Sequence, residues 1–442
     1  MGVKVAKFGG SSVADAAQIR KVQAIVLEDP ARSVVVVSAP GKRNAQDAKI
    51  TDLLYRCYEC ARGGSGFDTV FQTIADRYRE IARDLDVVVE IERELQTIRA
   101  GILASTTPDF AASRGEYLNA RITAALLGHE FVDAAEMIRF GADGKLLRDE
   151  TDKAIAERLR GEKRFVVPGF YGAMPDGSIK TFSRGGSDIT GALLARGLRA
   201  EAYENWTDVS GVLMADPRIV ANAKTIPTLT YRELRELSYM GANVLHEEAV
   251  FPVIDVGIPV NVRNTNVPQH PGTRIVNQIE GSTSSVTGIA GRHGYTVIGL
   301  EKNLMNSEVG FGRRLLSALE RRGVSFEHMP TGIDAVSLIV ESSYLKGKLD
   351  AVLDEIRAEC RPDRVQVSES MALIATVGRG MLHTPGVAGK LFGALATAKI
   401  NVRMIDQGSS GINIIIGVEE KDFEAAIRAI YSAFAADVPQ GN

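Results

Sequence analysis

Apolar positions along the chain follow two alternating periods. Short β-branched runs, such as 33–40 (SVVVVSAP) and 164–172 (RFVVPGFYG), read as buried strands. Between them, stretches such as 152–161 (DKAIAERLRG) and 188–198 (DITGALLARGL) carry apolar residues at helical spacing. The alternation runs from residue 1 to about 280 and predicts an α/β sandwich, a mostly parallel central sheet with helices on both faces. Such sheets bind ligands beyond the carboxyl ends of their strands. The small polar stretch 280–288 (EGSTSSVTG) marks a boundary. The expected division is a large unit over 1–280, a linker over 281–290, and two smaller units over 291–365 and 366–442, with strand exchange between the smaller units left open.

The smaller units repeat each other. Met305 pairs with Met381, Gly310 with Gly386, Leu315 with Leu391, Leu319 with Leu395 and Val324 with Ile400, always 76 positions apart. Each copy reads as loop, helix and two strands, followed by a second helix at 345–359 or 421–434. Periodicity alone is equally compatible with two modules that only dimerise.

Composition narrows the function classes. With 442 residues, 45% apolar and 24% charged, the chain can bury large cores. A net charge of -3 gives no general pull toward nucleic acid or membrane. No basic-then-apolar leader opens the sequence, and no apolar run is long enough to span a bilayer. Three cysteines are too few for a disulfide framework, so a cytoplasmic protein is expected. Cys57 and Cys60 form a C-x-x-C inside a helical pattern, with no second pair nearby. The six histidines are scattered, so no metal-ligating residue is assigned.

Two glycine clusters carry the candidate chemistry. In 3–22 (VKVAKFGGSSVADAAQIRKV), Val3, Val5 and Phe8 form a strand-like run and Ile19, Val22, Ile25 and Val26 a helical one, with Asp15 in the first turn. Gly9-Gly10-Ser11-Ser12 lies between them, where a helix start would aim N–H groups at an anion. Lys7 adds a full charge there. In 181–195 (TFSRGGSDITGALLA), Arg184 precedes Gly185-Gly186, and Ser187 or Asp188 can cap the helix that follows. A guanidinium at that place can grip a carboxylate or phosphate with two parallel hydrogen bonds. In 203–220 (YENWTDVSGVLMADPRIV), Thr207-Asp208 and Asp216-Pro217-Arg218 flank Gly211. They suit a ribose or a magnesium, or else two simple Asx turns. Glu116, in 113–127 (SRGEYLNARITAALL), sits near a helix start, where its plain role is to complement the dipole. G-x-x-x-x-G-K-[ST] and G-x-G-x-x-G are both absent.

The segments KFGGSS, VVVVSAP, SRGE, SRGGSD, TDVSGVLMADPR and GANVLHEEA occur in this order, and the chain resembles the aspartate kinases of the amino acid kinase superfamily. Its C-terminal repeat is similar to their tandem, ferredoxin-like ACT domains. The resemblance implies ATP-dependent phosphorylation of the side-chain carboxylate of L-aspartate to 4-phospho-L-aspartate, the first step toward lysine, threonine and methionine. It implies ATP and Mg²⁺ as cofactors. Lys7, Gly9, Gly10 and Ser11 would stabilise the transferring phosphoryl group, and Asp188 would lie near substrate or magnesium. Arg184 would clamp the substrate α-carboxylate, Glu116 would read its ammonium, and Ser38 and Thr51 would lie along the reacting carboxylate. Thr207, Asp208, Gly211, Asp216 and Arg218 would line the nucleotide pocket. Met305, Ser307, Gly310 and Phe311 would hold a feedback effector, lysine or threonine. A homodimer or dimer of dimers is implied. One departure is Asn243, where many members carry lysine, leaving Lys42 or Arg43 as substitutes. The alternatives are a glutamate-type acyl-phosphate-forming kinase and a non-catalytic amino-acid sensor.

Overall fold

The computed structural model describes residues 2–437, apart from 162, 184, 243, 244, 246 and 281–283. Its strands, in chain order, are β1 (Lys4–Phe8), β2 (Val34–Val37), β3 (Glu130–Phe131), β4 (Phe165–Pro168), β5 (Tyr171–Ala173), β6 (Ile179–Thr181), β7 (Ala202–Thr207), β8 (Thr228–Thr230), β9 (Val260–Asn264) and β10 (Thr273–Val276) in the N-terminal unit. Eight of these form one sheet in the order β3-β4-β2-β1-β7-β9-β10-β8, while β5 and β6 make a separate hairpin. All neighbours in the large sheet run parallel except β9 and β10.

Such a sheet is covered on both faces, which explains the unbroken valines of β2. Val34 and Val36 join the core beneath the Gly186–Gly197 helix; Val35 and Val37 join a second core with the helices of the first half, among them Pro108–Leu127. The alternation of β1 and β7 settles what each face receives. Phe8 and Trp206 stack in the second core, with ring centroids 5.9 Å apart, while Lys7 and Asn205 lie opposite each other in register. Since Val5 and Tyr203 sit in the first core, Lys7 and Asn205 share that face near the strands' carboxyl ends.

The C-terminal unit is built on one five-stranded antiparallel sheet, ordered β12-β11-β13-β15-β14, from β11 (Gly288–Glu301), β12 (Ala335–Glu341), β13 (Arg364–Val377), β14 (Met404–Asp406) and β15 (Asn413–Glu419). β11 starts inside the stretch read as a linker. β11 and β13 each run 14 residues and pair along their whole length. β12 joins one end of this ribbon, at Tyr295–Glu301, and β15 the other, at Met371–Val377.

The repeat is visible in the packing. Gly310 and Gly386 both take left-handed backbone (φ 83° and 88°) ahead of matching helices, Phe311–Arg321 and Val387–Thr397. Leu315 and Leu391 are fully buried. The copies differ most in one element: the expected first strand of the earlier copy is reduced to two isolated bridges, His328 to Ile339 and Thr331 to Val336. His328 Nδ1 lies instead 2.7 Å from Asp406 Oδ2 of the later copy.

Candidate active site

Residues from five neighbouring strands, β4, β2, β1, β7 and β9, reach one rim. Gly9, Ser38 and Gly169 each donate a backbone N–H that continues the sheet ladder past β1, β2 and β4, to Trp206, Phe8 and Val37 respectively. Thr265 does the same toward Thr207 beyond β9. Past this rim the chain turns sharply. Gly41 N–H donates to Gly10 O at 2.9 Å, and a Cβ on Gly41 would sit 2.8 Å from the Gly10 carbonyl carbon. Only hydrogen at both positions lets the loop after β2 lie directly on the turn after β1.

The glycine turn does not run straight into the first helix. It enters a short 3-10 turn, Gly10–Val13, and the helix Ala16–Glu28 begins afterwards with Asp15 as its cap, accepting from Gln18 N–H. The anion-facing donors expected of a helix start therefore belong to the 3-10 turn, whose first N–H groups have no partner within it. Gly9 N–H is already used by Trp206 O. Ser12 Oγ lies 2.7 Å from Thr265 Oγ1 and ties the turn to β9.

The second glycine cluster opens the Gly186–Gly197 helix. Gly185 occupies the cap with φ 62°, and neither Ser187 nor Asp188 makes the expected capping bond. Asp188 points elsewhere, forming an ion pair with Lys7. Lys7 is 6% exposed. Asn205 Nδ2 donates to the same oxygen, Oδ1, at 2.8 Å, and Tyr203 O–H donates to the Asp188 main-chain carbonyl at 3.0 Å. The Lys7–Asp188 pair thus joins the two glycine turns at one place. Arg184 lies outside the described residues.

Glu116 approaches from the opposite layer. It is 5% exposed, and burial pushes its carboxyl up to about 8. Backbone N–H donors, including that of Ala39, and the charges of Arg114 and Lys7 oppose the rise. Glu116 Oε2 is buried without a hydrogen-bond partner. Three residues on, Asn119 Nδ2 donates to Ser38 O at 2.6 Å and holds the loop after β2. That loop is fastened again at its far end. Asp47 accepts from Arg43 and pairs with buried Arg77, whose Nη1 also donates to Ala14 O at 2.9 Å. One guanidinium therefore links the loops that follow β1 and β2. Thr51 lies in the first turn of the helix Ile50–Gly63.

Arg43, read as a substitute for the cation missing at Asn243, is not free for that role. It pairs with Asp47 and Glu80. Lys42 is exposed, and Asn243 and His246 fall outside the described residues. Beyond β7, Thr207 Oγ1 donates to Asp208 at 3.1 Å. Gly211 takes φ 94° against Thr273. Asp216 and Arg218 pair with each other at 2.6 Å. In the repeat, the side chains of Met305 and Phe311 are buried in its core, so Ser307 and Gly310 are the two of that set nearer the surface. Cys57 is buried in a helix, its thiol pushed up to about 12, and no cluster of possible metal ligands occurs among the described residues.

Residues 2–264 match the model of the amino acid kinase family, and 374–434 match an ACT domain. Aspartokinase 3 of Bacillus subtilis is 41% identical over 99% of both chains. The chain belongs to the aspartokinase family. The crystal structure of the Clostridium acetobutylicum aspartate kinase superposes with a TM-score of 0.90 at 51% identity, covering 98% of this chain and all of that one. Escherichia coli aspartokinase III in complex with aspartate and ADP superposes at 0.74 and 29% identity, covering 98% of this chain and 100% of that one. The same enzyme with lysine and aspartate superposes at 0.75, also at 29% identity, covering 98% and 99%. The expected fold of this family, a mostly parallel kinase sheet followed by ACT units with an antiparallel sheet, is the one observed.

Sequence reasoning missed Asn205, Tyr203, Asn119 and Arg77. Each acts through a partner distant in sequence, and none falls in a glycine motif. The one available signal was a pair of polar residues, Glu204 and Asn205, between the tyrosine and tryptophan of the strand-like β7 run.

Proposed function

We propose that this chain is an ATP-dependent aspartate kinase, transferring the γ-phosphoryl group of ATP to the side-chain carboxylate of L-aspartate to give 4-phospho-L-aspartate and ADP. The observation that carries this reading is the Lys7–Asp188 pair joining both glycine turns, with Glu116 buried on the far side. The acceptor carboxylate is already ionised near neutral pH, so the reaction needs no general base. It needs two anions held together against their repulsion. Lys7 and the N–H groups of Gly10 and Ser11 supply positive potential for the transferring group. Glu116 and Arg184 hold the amino-acid end of the substrate, and Ser38 and Thr51 flank its reacting end. Thr207, Asp208, Gly211, Asp216 and Arg218 hold the nucleotide. Asp188 is a hard oxygen donor beside the phosphate-facing turn, which fits Mg²⁺ held by a carboxylate and phosphate oxygens. Bound there, the ion neutralises charge on the phosphates.

Trapping the acyl phosphate with hydroxylamine tests the reading directly. Hydroxamate is expected with aspartate, and glutamate run alongside should give little. No product from either acid would leave the chain a sensor.

Feedback by lysine or threonine through the ACT units accompanies this activity. Ser307 and Gly310 would be at the effector site, and titration with each amino acid and with both together identifies the inhibitor. Leu304, Val309 and Ile333, exposed at 72%, 96% and 70% on that side of the first copy, suit pairing with a second chain.

The Arg77 clamp gives a further expectation. Arg77→Met should raise KM for aspartate about tenfold or more, because the loop bearing Ser38 loses one anchor. KM for ATP should change less. Steady-state kinetics with each substrate varied in turn checks both.

A further inference from the structure

Asp188 carries two donors on a single oxygen, and they differ in kind. Lys7 is a charge on a flexible stem, needed where phosphate arrives. Asn205 is neutral, 3% exposed and fixed in β7 directly opposite Lys7. Its amide nitrogen donates to Asp188 Oδ1 at 2.8 Å and lies 3.3 Å from the Tyr203 hydroxyl. Tyr203, on the same face of β7, holds the Asp188 main chain at 3.0 Å. Its ring packs so closely on the Gly186–Gly197 helix that a Cβ at Gly191 would lie 2.6 Å from it. β7 therefore grips the first turn of that helix by both backbone and side chain, independently of Lys7.

We propose that Asn205 is a positioning residue: its amide keeps the Asp188 carboxylate in place when Lys7 turns from Asp188 to the incoming phosphoryl group. Without it, once Lys7 turned away, this largely buried carboxylate would keep no side-chain hydrogen-bond donor from the chain and would swing toward solvent or pull Lys7 back. A neutral amide suits this task. It satisfies the carboxylate without neutralising it, so Asp188 keeps its negative charge, and it places no second cation to compete with Lys7. The inference rests on the assignment of Lys7 and Asp188 to phosphoryl transfer.

The test uses the full chain with three substitutions, Asn205→Leu, Asn205→Asp and Asp188→Asn. Each is assayed by acyl-phosphate trapping for kcat and both KM values, with thermal melting alongside. Asn205→Leu removes the donor at similar volume, and Asn205→Asp keeps the shape while opposing the carboxylate. Both should lower kcat about tenfold or more per folded molecule, Asn205→Asp the further, with KM for aspartate little changed. Adding Asn205→Leu to Asp188→Asn should cost little more, because the positioned group is already gone. Lower melting temperatures with parental kcat per folded molecule would overturn the proposal and leave Asn205 a packing residue. Parental kcat in Asp188→Asn would instead overturn the phosphoryl-transfer assignment itself.

Discussion

Lys7→Ala should lower kcat by about 10²–10³-fold, the scale for removing one preorganised charge stabiliser. Lys7 is 6% exposed, so its ammonium acts where water screens poorly. Its strand neighbours on both sides are hydrogen-bonded in register, which fixes its origin to within the freedom of the side chain. The charge it opposes grows as the phosphoryl group separates from ADP and meets a second anion, so the loss belongs to the chemical step more than to binding. KM for ATP should rise less than kcat falls. A change confined to KM would place Lys7 in ground-state binding alone. Melting temperature must be measured in parallel, because Asp188 keeps Asn205 but loses its ion-pair partner.

Glu116→Gln should raise KM for aspartate about 10–100-fold, the range for losing a charge-assisted hydrogen bond. The pH dependence is more diagnostic. Glu116 has its carboxyl pushed up to about 8, chiefly by burial. Only its ionised form attracts the substrate ammonium, so KM for aspartate should fall as pH rises from about 6.5 to 8.5, and Glu116→Gln should flatten that slope. Stability runs the other way. Between the ordinary value of 4.5 and about 8, the folded protein holds a proton at Glu116 that the unfolded chain has released. Glu116's contribution to stability is thus present at low pH and lost as pH rises through that window. Glu116→Gln should therefore melt higher than the parent above pH 7 and match it near pH 4 (thermal melts across pH check this). A KM that is flat with pH in the parent would remove Glu116 from the ammonium site.

What the sequence made legible was whatever a local pattern encodes. The valines of β2 announce a doubly covered strand, and Gly9-Gly10 and Gly185-Gly186 announce sharp turns; at Gly185 the left-handed backbone (φ 62°) and at Gly186 the Phe170 ring 2.4 Å from a Cβ disfavour any larger side chain. The 76-residue repeat showed itself through paired core positions such as Leu315 and Leu391. Three things stayed hidden for physical reasons. The 3-10 turn at Gly10–Val13 differs from a helix start only in backbone geometry, which the residues do not spell out. Arg43 looked available until Asp47 and Glu80 were found around it. Asn205 depends on which residue the register of β1 sets beside it, and a strand's register is decided by the whole sheet.

The two 14-residue strands shared by the repeats have a consequence for how the chain is made. Gly288 pairs with Val377, so the first half of β11 leaves the ribosome on the order of 90 residues before its partner exists. At about 5–20 residues per second that half-strand waits roughly 5–20 s with an open edge, while the earlier copy is synthesised in between. The later copy, for its part, closes on an edge laid down before the earlier one began. Synthesis order therefore makes the earlier copy an insertion within the later one, and a nascent chain stopped near residue 370 would display an unmet edge to any other strand in reach.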